Sequence, residues 1–152
     1  MLEMLLLMVC CALLGVAVVF DVASRQIPNT IPVALLGLFA VHVAAGGHRD
    51  MLWWHVLTGI ALLVLGFVLF RTGALGAGDG KLIAAAGLWI GPAGMGSFLM
   101  GMGLLGLGLG LFSLLPFDRT RRLRAELPFA VAIAPPAIAL LSLRACLVAG
   151  GA

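Results

Sequence analysis

Two aspartates stand out in a chain that consists almost entirely of apolar residues. Asp21 follows the first apolar run, and Asp79 lies in the stretch GAGDGKL at residues 76–82. An ionisable group at the end of a membrane helix is costly to bury, which makes it a candidate functional group. Two carboxylates held close together share one proton, so the pair contains an acid and a base at once. We expect such a pair to activate water for attack on a peptide carbonyl, as in aspartic peptidases.

Each aspartate also has a simpler interpretation. Asp79 is a good N-cap residue for a helix that follows it, and Asp21 can lie in interfacial water. A serine nucleophile has little support, because none of the four serines has an evident histidine partner. The three cysteines form no CxxC pair, so we expect them to pack as small apolar side chains. The sequence therefore predicts no metal site and no cofactor.

The composition indicates a protein built for lipid. Of the 152 residues, 63% are hydrophobic and 10% are charged, and the mean hydropathy is +1.23. Soluble domains carry about 25% charged residues, and a soluble fold of this length would not bury so much apolar surface. We therefore expect a lipid bilayer around the chain. The net charge of +3 is small and dispersed, so we expect no binding to nucleic acid.

The apolar runs predict an all-α, polytopic membrane protein with about six transmembrane helices in one domain over residues 1–152. The predicted helices cover residues 2–20, 30–45, 51–70, 80–90, 94–115 and 128–148. The first begins with Glu3 instead of a basic segment and is longer than a signal-peptide core, so we expect it to be retained. Gly91 and Pro92 end the short fourth helix, and Pro135-Pro136 predict a kink or a break in the last.

The basic residues predict how the chain is oriented. With six spans, the loops after the first, third and fifth helices share one side of the membrane. Those loops carry seven of the nine basic residues: Arg25, Arg71, Lys81, Arg119, Arg121, Arg122 and Arg124. The positive-inside rule assigns this side to the cytoplasm and both termini to the extracytoplasmic side. Asp21 and Asp79 are then both expected at the cytoplasmic end, and the basic segment 119–124 is expected to contact lipid headgroups.

Residues beside the two acids carry further predictions. Gly76 and Gly78 lack Cβ, so a substrate peptide can lie against the backbone next to the carboxylate. Lys81 either extends to the cytoplasmic surface or acts at the site, by tuning the carboxylates or contacting a substrate carbonyl. Pro28 disfavours helix at the residue before it, and Asn29 or the following threonine can cap the next helix.

The ordered set of motifs resembles the type IV prepilin peptidases, which are membrane aspartic peptidases with a GxGD motif. The residues that carry the resemblance are Asp21, Arg25, Ile27, Pro28, Asn29, Gly76, Gly78, Asp79, Lys81 and Leu82. The stretch LPFAVAIA at residues 127–134 is similar to a late motif of the family. The short chain most resembles the small enzymes of tight-adherence (Flp) pilus systems.

The resemblance implies that Asp21 and Asp79 are the catalytic pair. It implies cleavage of prepilin leader peptides, commonly just after a glycine, at the cytoplasmic face of the bacterial inner membrane. The expected partner is a prepilin with a short basic leader followed by an apolar helix. Larger relatives carry an insert with paired CxxC motifs and methylate the new N-terminus. This sequence has neither the insert nor the paired CxxC motifs, so methyltransferase activity is not expected.

Two non-enzymatic interpretations stay open. A small transporter or proton-relay protein could use Asp21 and Asp79, but that interpretation expects further polar residues along a pathway, and the helix interiors contain few. A structural assembly subunit could use the glycine-rich fifth helix as its interface, which leaves the two acids without a role. No feature of the sequence specifies an oligomeric state.

Overall fold

The computed structural model describes residues 1–47, 49–114 and 129–150. Within these ranges the chain is helical and contains no strand, which confirms the all-α prediction. The helices are α1 Leu2–Ser24, α2 Thr30–Ala44, α3 Leu52–Arg71, α4 Ala77–Leu114 and α5 Ala130–Gly150. Helices α1, α3, α4 and α5 are long and apolar enough to cross a membrane, and α2 is a shorter apolar helix. The basic segment 119–124 and the first two residues of the stretch 127–134 lie outside the described residues.

Two helix boundaries differ from the prediction in a way that matters for the acids. Helix α1 continues beyond residue 20 to Ser24, so Asp21 lies inside its last turn and not beyond its end. The helix ends at Arg25, which adopts a left-handed conformation and donates its N–H to the carbonyl of Asp21. Helix α4 begins at Ala77, three residues before the predicted start, so Asp79 lies in its first turn.

Helix α4 is broken at Gly91, where the predicted boundary between the fourth and fifth helices falls. Gly91 has φ 70° and ψ −175°, and Pro92 after it has no N–H to donate to the carbonyl of Leu88. The Nδ1 atom of His55 lies 2.8 Å from that carbonyl oxygen. Because a carbonyl only accepts, the imidazole N–H is the donor. His55 thus donates to the Leu88 carbonyl in place of the N–H that Pro92 lacks.

Helix α5 continues through Pro135 and Pro136 from Ala130 to Gly150. The break, one of the two outcomes predicted there, is therefore absent. Close packing accompanies the prolines, because a Cβ on Gly101 of α4 would lie 2.8 Å from Pro136 Cβ.

Contacts between α1 and α5 define two ends of the bundle. At the aspartate end, which contains Asp21 and Asp79, the N–H of Ala130 bonds to Asp21. At the opposite end Arg144 pairs with Glu3 at 3.4 Å. The two helices are therefore antiparallel. We call the second end the histidine end, because His42 and His55 are buried towards it.

The two segments of α4 run in opposite directions along the bundle. Residues 77–90 are antiparallel to α3, with Gly80 against Gly66 at the aspartate end. Residues 92–114 are antiparallel to α5, because Gly94 lies near Leu140 and Gly106 lies near Phe129. Since α5 starts at the aspartate end, the chain reverses direction at the break.

Trp89 connects α2 to the first segment of α4. Its side chain is fully buried, and its Nε1 donates to the carbonyl of Leu35 at 3.0 Å. The ring of Phe39 packs edge-on against it, with 5.6 Å between the ring centroids. A buried indole N–H needs such a partner, so this contact fixes the position of α2 along α4.

Helix α3 approaches α4 closely because both helices present glycine at the contact. A Cβ on Gly66 would lie 2.7 Å from the Cα of Gly80, and a Cβ on Gly80 would lie 3.3 Å from the Cα of Gly66. Such small residues allow backbones to pack tightly in lipid. The contact places the start of α4, and with it Asp79, against α3.

We predict that Gly66→Ala destabilises the protein by about 1–3 kcal/mol, because the new methyl group meets backbone that cannot move aside. Gly103→Ala is the matched control, since no atom lies within 4 Å of a Cβ at Gly103. Thermal unfolding in detergent measures both variants. Equal melting temperatures for the two would contradict the packing described here.

Candidate active site

Asp21 is buried in the last turn of α1, with 6% of its surface exposed. Its Oδ2 accepts a hydrogen bond from the backbone N–H of Ala130 at 2.9 Å. Ala130 is the first residue of α5, and the first N–H groups of a helix have no partner within that helix. The carboxylate of α1 therefore caps α5 and lies at the positive end of its dipole.

Asp79 caps its own helix with one oxygen only. It is the third residue of α4, and its Oδ2 accepts the N–H of Gly76 at 3.2 Å. An acid at this position that reaches back to the residue before the helix is one half of a capping box. Its Oδ1 is buried and has no hydrogen-bond partner among the described residues. Capping therefore explains one oxygen of Asp79 and leaves the second without a structural role.

Both aspartates line one cavity of about 370 Å³ at the aspartate end. The cavity is bounded by the end of α1, the turn that follows it and the start of α4. Its lining residues are Asp21, Arg25, Gln26, Ile27, Gly76, Ala77, Gly78 and Asp79. The fold thus brings together two acids that are far apart in the sequence.

The two glycines of the motif face protein atoms in addition to the cavity. A Cβ on Gly76 would lie 2.7 Å from Asp79 Oδ2, and a Cβ on Gly78 would lie 3.1 Å from the Cβ of Ile27. Gly76 therefore leaves room for the capping carboxylate, and Gly78 leaves room for the turn after α1. Their predicted contact with a substrate backbone stays a prediction.

Arg25 and Pro28 shape the turn between α1 and α2. Arg25 has φ 55° and ψ 25°, a left-handed conformation that costs a non-glycine residue about 1 kcal/mol. Its backbone ends α1, and the residue lines the cavity. The carbonyl of Pro28 accepts the N–H of Ile31 at 3.1 Å. Among the described residues, Pro28 contributes to this turn and not to the cavity lining.

Lys81 and Asn29 form a pair beside the cavity. The Nζ of Lys81 donates to Asn29 Oδ1 at 2.8 Å. Asn29 lies at the N-cap position of α2, but its side chain makes no capping hydrogen bond, so the predicted side-chain cap by Asn29 is wrong. Its oxygen is bonded to Lys81 instead. Both residues line a neighbouring groove between α2, α3 and α4.

The backbone N–H of Ala130 is absent from the predicted site. The sequence contains one signal for this group. The stretch 127–134 falls where the last helix is predicted to begin, on the same side of the membrane as Asp21. A helix start offers unpaired N–H groups. Only the packing of α5 on α1 identifies the acceptor.

A comparison with protein-family models matches residues 8–111 to the type IV leader peptidase family. The match covers more than half of the chain and includes both aspartates. The chain belongs to the type IV leader peptidase family. This confirms the resemblance found in the sequence and supports a peptidase, while the transporter and structural-subunit interpretations gain no support. No curated protein and no solved structure matches the chain significantly.

In this leader peptidase family member, we predict that Asp21→Ala lowers the free energy of unfolding by about 1–3 kcal/mol, because the buried N–H of Ala130 loses its acceptor. Asp21→Asn keeps an acceptor oxygen and is expected to retain most of the stability. Thermal unfolding in detergent distinguishes the two variants. If Asp21→Asn and Asp21→Ala destabilise the protein equally, the hydrogen bond does not hold α5 in place.

We also predict that Gly76→Ala reduces peptidase activity by roughly 10- to 100-fold, since a methyl group 2.7 Å from Asp79 Oδ2 displaces that carboxylate. The loss is expected in kcat, and stability is expected to fall only by the contribution of the displaced cap, about 1 kcal/mol. Gly103→Ala serves again as the control and is expected to keep full activity. A fully active Gly76→Ala enzyme would show that activity does not depend on the carboxylate position observed here.

Proposed function

We propose that the chain is a membrane-embedded aspartic endopeptidase that removes the leader peptide of type IV, Flp-like prepilins. One observation carries the proposal: Asp21 and Asp79 come from different helices and line the same cavity. The buried Oδ1 of Asp79 adds to it, because a buried polar atom without a partner among the described residues costs stability, and a catalytic role is one reason why such an atom is retained.

In the proposed reaction the ionised carboxylate takes a proton from a water molecule in the cavity. The water oxygen attacks the peptide carbonyl, and the protonated carboxyl group donates a hydrogen bond to the oxygen on which charge develops. The carbon–nitrogen bond then breaks, and a proton passes to the leaving amine. The N–H groups of Ala130 and Gly76 hold one oxygen of each carboxylate, which orients the pair before substrate arrives.

We propose that the aspartate end faces the cytoplasm of the inner membrane and that the chain crosses the membrane six times. The reversal at Gly91 supports six passes, because it divides α4 into two antiparallel segments. The pair formed by Glu3 and Arg144 is consistent with both termini on the extracytoplasmic side. Among the described residues, Arg25 follows α1 and Arg71 is the last residue of α3, and both helices end at the aspartate end, as the positive-inside rule requires.

The prepilin substrate is proposed from the motif resemblance and from family membership. A prepilin offers a basic leader on the cytoplasmic side and an apolar helix in the membrane. The absence of CxxC pairs from the sequence favours the small Flp-type enzymes, which cleave without methylating the product.

The test is co-expression with a Flp-like prepilin, with leader removal followed by gel mobility. We predict that Asp21→Asn and Asp79→Asn each reduce cleavage by roughly 10²-fold or more, because each change preserves size but removes a proton donor or acceptor of the pair. Asp50→Asn is the matched control, since Asp50 lies in the short 3-10 helix before α3, at the histidine end.

The outcomes separate the two parts of the proposal. Cleavage at the normal rate by either site variant would show that the two acids are not a catalytic pair. Failure of the unmodified protein to process any prepilin-like chain would refute the substrate class.

A further inference from the structure

A groove of about 600 Å³ lies between α2, α3 and the first segment of α4. Helix α4 lines it with Lys81, Ala84, Ala85 and Leu88, which are spaced i, i+3, i+4 and i+7. Asn29, at the N-cap position of α2, begins a second set of four residues with the same spacing that continues along α2, and α3 contributes a third set that begins at Val56. Such a spacing marks one stripe along a helix face. The groove is therefore a straight trough that extends for about two helical turns, or about 10 Å, along the bundle.

The trough has a shape that one further helix would fill. Helix α3 packs mainly on α4, and α2 packs on both α1 and α4, whereas α2 and α3 make little contact with each other, so α2 and α3 act as its walls. Its floor contains Ala84 and Ala85, and small residues allow another helix to approach closely in lipid. Its walls expose large apolar side chains, including Val33 at 64% and Ile60 at 53%. Side chains at helical spacing line the trough on three sides, and they can interdigitate with the side chains of another helix.

The polar end of the trough adjoins the catalytic cavity. Its lining is apolar except where Lys81 bonds to Asn29. Lys81 follows Asp79 by two residues, and Asn29 follows Ile27 by two residues; both Asp79 and Ile27 line the cavity. A chain that leaves the cavity past this pair enters the trough and continues towards the histidine end.

We infer that this trough docks the apolar helix of the substrate, with the scissile bond held between Asp21 and Asp79. The inference rests on the proposed function, which supplies a substrate whose apolar helix follows the cleavage site.

The test compares two substrates: a full-length prepilin and a short peptide that spans the cleavage site but lacks the apolar helix. Ala84→Phe fills the trough. Ala61→Phe on α3 is the control, because Ala61 is exposed outside the trough lining. We predict that the ratio of kcat/KM for the prepilin to that for the peptide falls about tenfold or more in Ala84→Phe, and keeps the wild-type value in Ala61→Phe.

Photo-cross-linking of the unmodified enzyme gives a second measurement that does not depend on a variant folding. A photoreactive residue in the apolar helix of an uncleavable prepilin should label the trough at Val33, Ile60 or Ala84. Labelling confined to the α1–α5 face would overturn the inference. So would evidence that a lipid or a second copy of the chain occupies the trough in the presence of prepilin.

Failure of this inference is distinguishable from failure of the proposed function. If the unmodified enzyme cleaves both substrates and Ala84→Phe leaves their ratio unchanged, the trough is not the docking site, although the peptidase assignment stands. If the unmodified enzyme cleaves neither substrate, the proposed function itself is wrong.

Discussion

The hydrogen bond from the Ala130 N–H to Asp21 Oδ2 is the interaction on which the site depends. It joins the first helix to the last described helix and satisfies a donor that α5 cannot pair internally. The same carboxylate lines the cavity that it shares with Asp79. One side chain thus joins two helices and also lines the cavity that we propose as the active site.

The site also depends on close packing of the backbone around Asp79, which glycine residues allow. Three glycines in five positions have three different neighbours: Gly76 borders the Asp79 carboxylate, Gly78 borders Ile27, and Gly80 borders Gly66. A protein in lipid has little hydrophobic force to draw helices together and relies on such packing. The glycines of the GxGD motif therefore serve close packing in this chain.

The features predicted from the sequence are those that depend on local pattern. Apolar runs predict the helices, the Gly91-Pro92 step predicts the break in α4, and acids within apolar sequence mark Asp21 and Asp79. The features that the sequence does not predict depend on tertiary contact. Gly66 has no distinguishing neighbour in the sequence. The side-chain oxygen of Asn29 accepts a hydrogen bond from Lys81, which lies on another helix.

The hydrogen bond between His55 and the Leu88 carbonyl has a mechanical consequence. It fastens one end of the first segment of α4 to α3, and the contact between Gly66 and Gly80 fastens the other end. These two contacts set the position of Asp79 relative to α3. The cavity therefore has one wall, the start of α4, that is positioned by α3, and another, the end of α1 with the turn at Arg25, that is positioned by packing on α5.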